Sequence, residues 1–489
     1  MRKRLLMVFA SVLATVSTLA AAQVVNVDGG AVRGGPNNGG GFLFRGIPFA
    51  APPLGPLRWK KPAPVLGWTS VRDAAGPAHA CLQNDYGWNR SDFLTGQEDC
   101  LTLDVRTPAL NGHRAVLVWI HGGSNRAGSP SDMTLSAIGK EVVVVGVRYR
   151  LGIFGFLSHR GLTEEAGASG NYGLMDQVAA LAWVQRNIAR FGGDPTNVTI
   201  AGESAGAQDV GLLLVAPSAR PLFHKAIMES GTPGFGLPFR SLADAERIGD
   251  QLGDLLGTGA VLDSLRSTSV PALLAADKQL HDDALEADDY LWLRITVDGK
   301  QLPAALPALL AVAPAKPLII GSNRVELDLP GGRPHRDAFL AKAFGANEGA
   351  ARRFYAFEGP ARPSDPRLGT RDQQLATDVT FRCPAGQMAE TMATKGASVW
   401  RYEFDASTAG GMTTHAAEIP FAFGDATFGP NVSLMPYWTK FVQAGDPNAP
   451  GLAQWPRFNG TKTHVLFDST GVTPQGPLRP EPCSLLKAL

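Results

Sequence analysis

The stretch Val198-Thr-Ile-Ala-Gly-Glu-Ser204-Ala-Gly-Ala-Gln208 constrains this chain more than any other. A short apolar run reads as a strand, Gly202-Glu203-Ser204-Ala205-Gly206 closes it, and the small residues at 205–207 lead into a helix. The two glycines permit a sharp strand-to-helix turn, which lifts the Ser204 hydroxyl clear of a sheet and sets the Ala205 N–H beside it. A serine nucleophile requires that geometry. Alone, a G-x-S-x-G pattern is weak in a chain with 56 glycines, and the same residues suit a helix start capped by serine. The flanking sequence decides between the two.

Compact apolar runs at 115–120, 141–147, 224–229, 317–321 and 398–404 have the length of buried strands in a helix-covered sheet, and 100–105 reads as a further strand. Residues 174–191 carry an apolar stripe at helical spacing (Leu174, Val178, Leu181, Trp183, Val184, Ile188, Phe191) that stops at Gly192-Gly193-Asp194-Pro195. Strand, helix, strand, turn, helix, strand is a parallel α/β rhythm. Upstream, 24–47 mixes β-rich pieces with Gly/Asn turns and predicts an antiparallel ribbon, while the proline-rich 48–64 wraps the surface. Downstream, 240–313 is mainly helical, with pieces at 243–256 and 304–311, and 336–358 and 371–395 are helical again. No repeat or low-complexity linker divides the chain. Residues 23–489 therefore read as one α/β domain, a central mostly parallel sheet flanked by helices, with large helical insertions.

The balance of 45 Lys+Arg against 44 Asp+Glu leaves no basic footprint for nucleic acid. Arg2-Lys3-Arg4, an apolar stretch at 5–19 and Ala20-Ala21-Ala22 make residues 1–22 a secretory signal, whose removal takes the formal charge from +1 to −2. No later stretch is long and apolar enough to cross a membrane. The expectation is an exported protein, periplasmic or extracellular, with no transmembrane segment in the mature chain. Cysteines at 81, 100, 383 and 483 suit an oxidising compartment and allow three pairings. Cys81 with Cys100 closes a modest loop, and Cys383 with Cys483 then pins the C-terminal tail by elimination.

Serine attacks only when a base takes its proton and a third group orients that base, and turns of this kind supply the three in the order Ser, acid, His. Histidines follow Ser204 at His224, His281, His335, His415 and His464. His415 lies in the loop after the 398–404 strand, where a side chain can reach over the sheet end, and is the candidate base. His224 opens a strand and better serves the turn before it. Glu326 follows the 317–321 strand by five residues and is the preferred acid, with Asp328 at a similar address. His121-Gly122-Gly123-Ser124 follows the 115–120 strand, so the N–H groups of Gly123, Ser124 and Ala205 are candidate donors to an oxyanion. The histidines and carboxylates show no metal-ligand spacing, and this chemistry needs no cofactor.

Across nearly the whole mature chain the sequence resembles the type-B carboxylesterases. The likeness runs through Phe44-Arg-Gly-Ile-Pro-Phe-Ala50, Glu98-Asp-Cys-Leu101, Val118-Trp-Ile-His-Gly-Gly123, Asn171-Tyr-Gly-Leu-Met-Asp-Gln177, Phe191-Gly-Gly-Asp-Pro195, Gly202-Glu-Ser-Ala-Gly206 and Gly445-Asp-Pro-Asn448. It implies an α/β-hydrolase fold with Ser204 as nucleophile, Glu326 as acid in Gly321-Ser-Asn-Arg-Val-Glu326, and His415 as base in His415-Ala-Ala-Glu418. It also implies a Cys81–Cys100 disulfide and a supporting place for Ser230, in Glu229-Ser230-Gly231; Glu203, beside the nucleophile, joins it as a supporting residue. The activity implied is serine carboxylic-ester hydrolysis through an acyl-serine, with a small-molecule ester of small to medium or polar type as substrate. A lipase-like hydrolase of longer-chain esters and a noncatalytic binding module are the alternatives. The chain departs from the family at Gly122-Gly123-Ser124-Asn125, where many members have three glycines and an aromatic residue. Ser124 keeps the backbone donor if its dihedrals suit a residue with a Cβ. Its hydroxyl and Asn125 are expected to add polar groups to the pocket floor.

Overall fold

The computed structural model describes residues 22–130, 133, 136–358, 366–406, 411–424, 426–427 and 432–486. Apart from Ala22, the expected secretory signal lies outside the described residues.

A 13-stranded sheet runs through the molecule. Its strands are β1 (Gln23–Val27), β2 (Gly30–Pro36), β3 (Phe42–Pro48), β4 (Thr102–Thr107), β5 (Arg114–Ile120), β6 (Val143–Val147), β7 (Gly193–Glu203), β8 (Lys225–Glu229), β9 (Leu318–Asn323), β10 (Val399–Asp405), β11 (His464–Asp468) and β12 (Gly471–Gln475), with Arg72–Asp73 beside β2. The spatial order is β1-β2-β3-β4-β6-β5-β7-β8-β9-β10-β11-β12. From β6 to β11 every pairing is parallel. The flanks, β1 to β4 on one side and the β11–β12 hairpin on the other, pair antiparallel.

Strand alternation shows why continuous apolar runs form the centre. Along β5, Val116, Val118 and Ile120 enter the core on one face, while Ala115, Leu117 and Trp119 enter a second core on the other. The first face is covered by α1 (Tyr172–Asn187), through Leu174, Leu181, Trp183 and Val184, and by α2 (Ala205–Val215), through Val210 and 212–215. An insertion follows β8 and begins with α3 (Leu242–Leu256). Late in the chain come α4 (Cys383–Thr394) and α5 (Met435–Ala444). Tyr437, Trp438, Phe441 and Val442 of α5 cover the second face. Full burial of side chains this size stabilises by about 1.5–3 kcal/mol each.

Several element boundaries differ from expectation. The run at 141–147 pairs only from Val143, because a 3-10 turn at Ala137–Lys140 carries the chain into the strand. The expected helix at 371–395 is interrupted by a π turn, Thr377–Arg382, just before Pro384. Proline has no N–H to return to the preceding turn, and widening that turn accommodates the loss. The Gly192–Gly193 break is abrupt, with β7 starting at Gly193 itself. The β11–β12 hairpin has no counterpart in the sequence reading; Pro474 within it sits on the sheet edge, where a missing N–H is tolerated.

Disulfides join Cys81 to Cys100 and Cys383 to Cys483. No helix among the described residues is long and apolar enough to cross a membrane.

Candidate active site

The carboxyl ends of β5, β7, β9 and β10 bring the expected residues to one place. Ser204 follows β7 with φ 57° and ψ −125°. Residues with a Cβ avoid that region unless surrounding structure imposes it. Here Ser204 N donates to Glu229 O at 2.9 Å, and Ser204 O accepts from Gln208 N at 3.0 Å. The flanking glycines are required by close approach. A Cβ at Gly206 would stand 2.0 Å from Ile120 O, one at Gly202 would stand 2.4 Å from the Gly206 carbonyl carbon, and one at Gly231 would stand 2.3 Å from Ser204 O. Three strand ends thus pinch the turn, and Ser204 is left half-buried.

His415 and Glu326 meet directly. Nδ1 of His415 lies 2.7 Å from Glu326 Oε2; a carboxylate only accepts, so Nδ1 carries a proton. The other oxygen of Glu326 accepts from Asn323 N at 2.7 Å, and Glu326 N donates to Thr377 Oγ1 at 3.1 Å, which locks the acid in place. Nε2 of His415 faces Glu203 Oε1 at 3.1 Å, without hydrogen-bond alignment. In this arrangement the imidazole reaches the serine turn through the residue immediately before Ser204. Phe381 packs beside the imidazole, with ring centroids 5.3 Å apart.

The buried acids Glu203, Glu326 and Glu418 act on the histidine, and Glu229 neighbours Glu418 and Glu203. Glu418 accepts from Ser230 Oγ at 3.2 Å and from Asn323 Nδ2 at 2.6 Å. Trp438 Nε1 donates to Glu229, whose second oxygen has no partner among the described residues. Burial, with the neighbouring acids Glu418 and Glu203, holds the Glu229 carboxyl well above its ordinary range. Burial also raises Glu203, to about 8, with Glu418 and Glu326 adding and His415 opposing. For Glu418 burial and Glu326 raise the carboxyl to about 7. Burial alone would push His415 down, but Glu203, Glu326 and Glu418 outweigh it and hold the imidazole up, at about 9.

The candidate oxyanion donors lie on two elements. Gly123, Ser124 and Asn125 have φ of 105°, 57° and 55°, three consecutive residues in the left-handed half of backbone space. Ala205 opens α2, where N–H groups have no intrahelical acceptor. Among the described residues none of the three N–H groups at 123, 124 and 205 donates to a protein acceptor. These N–H groups keep their hydrogens unspent, as donors to the space above Ser204 would have to. Asn125 does not reach that space. Its side chain is fully buried, with Nδ2 donating to Asp209 Oδ1 at 3.2 Å and Oδ1 within 3.3 Å of the Tyr149 hydroxyl. The expected polar contribution of Asn125 to the pocket floor is therefore corrected: its side chain turns into the protein, while Ser124 beside it stays half-buried.

The remaining candidates fall elsewhere. Asp328 is exposed and accepts from its own neighbour Leu329 N. His224 Nδ1 accepts from Val198 N at 3.1 Å and braces the start of β8, as its position suggests. His281 pairs with Asp283 and Asp288, His335 is exposed, and His464 bonds Gly476 O. Sequence reasoning passed over the roles of Glu418, Asn323, Thr377 and Asp209, although an acid three residues past the histidine was a usable signal for Glu418. Among the described residues no group of three or more His, Cys, Asp or Glu side chains is arranged to hold a metal ion. Phe381 joins Ala205, Phe235 and Leu293 in an apolar cluster beside the turn. Phe235 also lines an apolar cavity of about 500 Å³ together with Tyr290, Phe339 and Val379.

A model of the carboxylesterase family matches residues 21–483. Carboxylesterase 5A of Canis lupus familiaris is 35% identical over 482 residues, covering 87% of this chain and 81% of that protein. A medium-chain fatty acyl-CoA hydrolase precursor of Anas platyrhynchos is 34% identical, covering 88% of this chain and 84% of its own. Among solved structures, a PNB esterase at 32% identity superposes with a TM-score of 0.80, over 95% of this chain and 99% of that one.

Proposed function

This chain belongs to the carboxylesterase family and is a serine carboxylic-ester hydrolase, and on that premise we propose that Ser204 is its nucleophile, His415 its general base and Glu326 the acid that orients the base. The N–H groups of Gly123, Ser124 and Ala205 form the oxyanion hole, and Glu203 and Ser230 support the histidine and its neighbouring acids. One observation carries this reading: the His415–Glu326 pair, bonded at 2.7 Å, faces through Nε2 the residue that precedes the strained Ser204.

In the cycle, Nε2 of His415 turns from Glu203 to the Ser204 hydroxyl and takes its proton as Oγ attacks the ester carbonyl. The carbonyl oxygen becomes an oxyanion facing the three N–H groups. Collapse breaks the bond to the alkoxy oxygen, which leaves as the alcohol with the proton from His415. Water then attacks the acyl-serine, giving its proton to His415, and a second collapse returns that proton to Ser204 Oγ and frees the acid. Glu326 keeps the proton of Nδ1 in place and stabilises the imidazolium of each tetrahedral step.

For the substrate we infer an ester with a small to medium acyl group. The apolar cluster of Ala205, Phe235, Leu293 and Phe381 beside the turn supports an apolar acyl part. Asn125, turned inward, lends no support to a preference for polar esters. The disulfides Cys81–Cys100 and Cys383–Cys483 support the export expected from the N-terminal sequence. The test is Ser204→Ala with p-nitrophenyl esters of increasing acyl length. Turnover is expected to fall by about 10⁴-fold or more, and the wild-type protein should release a burst of nitrophenol and favour short to medium chains. Retained turnover in Ser204→Ala would remove Ser204 from the role.

A further inference from the structure

The oxyanion turn and the nucleophile helix are joined by one side-chain bond deep in the protein. Asn125 ends the left-handed run that carries Gly123 and Ser124, and Asp209 lies one helical turn below Ala205 on α2. Asn125 Nδ2 donates to Asp209 Oδ1 at 3.2 Å, and Gln177 Nε2, from α1, donates to Asp209 Oδ2 at 2.5 Å. The turn is held from its other side as well. Tyr149 OH lies 2.7 Å from His121 O and 3.3 Å from Asn125 Oδ1, and Gly152 N donates to Asn125 O at 2.7 Å. Asn125, Gln177, Tyr149 and Asp209 are all fully buried.

Two features set this network apart from ordinary core packing. Successive left-handed residues with a Cβ persist only where their surroundings over-determine them, and Ser124 with Asn125 is such a pair. Asparagine tolerates that conformation better than most residues, yet tolerance does not require a buried partner. Asp209, moreover, is a buried carboxyl served by amides alone, with no cation against it among the described residues. Burial pushes it up to about 7, while its bonds to Gln177 and Asn125 pull the other way. A buried acid without a cation is costly to the fold, and such groups concentrate where function needs them.

We propose that the Asn125–Asp209 bond sets the Ser124 N–H against the Ala205 N–H, so that Asn125 and Asp209 are positioning residues of the oxyanion hole. This rests on the reading of Ser204 and its donors given above. The bond links the two elements that supply donors, and it does so four residues from Ala205, close enough that a shift of the turn moves the Ser124 amide relative to the helix start. Loss of the bond misplaces a donor for the tetrahedral state and leaves the ground-state ester nearly undisturbed.

The experiment is an exchange of the two groups. Asn125→Asp sets two carboxyls against each other; combined with Asp209→Asn it again pairs a carboxyl with an amide. For Asn125→Asp kcat is expected to fall about 30- to 100-fold with KM within about threefold. Affinity for an alkyl trifluoromethyl ketone, whose serine adduct carries an oxyanion, should fall in parallel with kcat/KM. The double variant should recover kcat to within about fivefold of wild type. Wild-type kcat in Asn125→Asp, or a double variant no better than the single, overturns the proposal. So does a drop in Tm with kcat per folded molecule unchanged. Should Asn125→Asp not fold, Asp209→Asn alone decides: a weaker loss of kcat matched by ketone affinity supports the brace, and unchanged ketone affinity overturns it. Ser204→Ala run alongside separates the two readings. Inactive Ser204→Ala with unaffected Asn125→Asp removes only the brace, whereas an active Ser204→Ala removes both.

Discussion

On one side of the Ser204 turn, His415 is held among the carboxyl groups of Glu203, Glu326 and Glu418; on the other, the Gly123–Asn125 turn is held by amides and a hydroxyl around the carboxyl of Asp209. In the proposed mechanism the two regions do different work. A base that must gain and lose a proton is tuned by nearby charge, since an acid within a few ångströms stabilises its protonated form. A donor that must only stay aimed is better served by neutral bonds, which fix direction without adding a field that would oppose a developing negative charge. In the proposed mechanism the acids around the imidazole stabilise the positive species that forms there.

The sharpest way to break that comparison is Glu326→Gln. The amide can hold the ring only by accepting from Nδ1 in one of its orientations and no longer stabilises the imidazolium, so kcat should fall by about 10³- to 10⁴-fold with little change in KM. A loss of only a few-fold, measured in ester turnover at saturating substrate, would mean that charge on this side matters no more than on the other.

Glu203→Gln is expected to act more gently and chiefly on pH dependence. The carboxylate of Glu203 raises His415, and the base works only when deprotonated. Removing that charge therefore lowers the histidine pKa and moves the acidic limb of the kcat/KM profile to lower pH, by about one unit. An unmoved or upward-shifted limb would show that Glu203 does not act on the imidazole through its charge.

The smallest effect belongs to Asp328→Asn. This acid is exposed and bonds only its own loop, so turnover and Tm should stay near wild type, with stability changed by no more than about 0.5 kcal/mol. A large loss of kcat here would reopen the choice between Asp328 and Glu326.

Much of the fold was legible because its signals are local. Continuous apolar runs at 115–120 and 317–321 can only be strands buried on both faces, and the stripe of 174–191 can only be one side of a helix. The β11–β12 hairpin was not legible, since its pairing depends on β10 lying alongside. Nor was the π turn at Thr377–Arg382, which answers a proline two residues beyond it.

At the site the same division holds. The residues from Gly202 to Gly206 with their flanking strand and helix patterns indicated a sharp turn at Ser204, and the tertiary structure showed why its glycines are required, since a Cβ at Gly206 would meet Ile120 O of the neighbouring strand. The order of Ser204, Glu326 and His415 along the chain singled out the candidate reacting groups. Only the tertiary structure decided that Glu326 and not Asp328 meets His415, that Glu203 faces Nε2, and that Asn125 turns inward to Asp209. Each of those outcomes depends on where two distant segments end up relative to one another. Sequence spacing carries the conformation of one segment; the distance between two of them exists only once the sheet has aligned their strands.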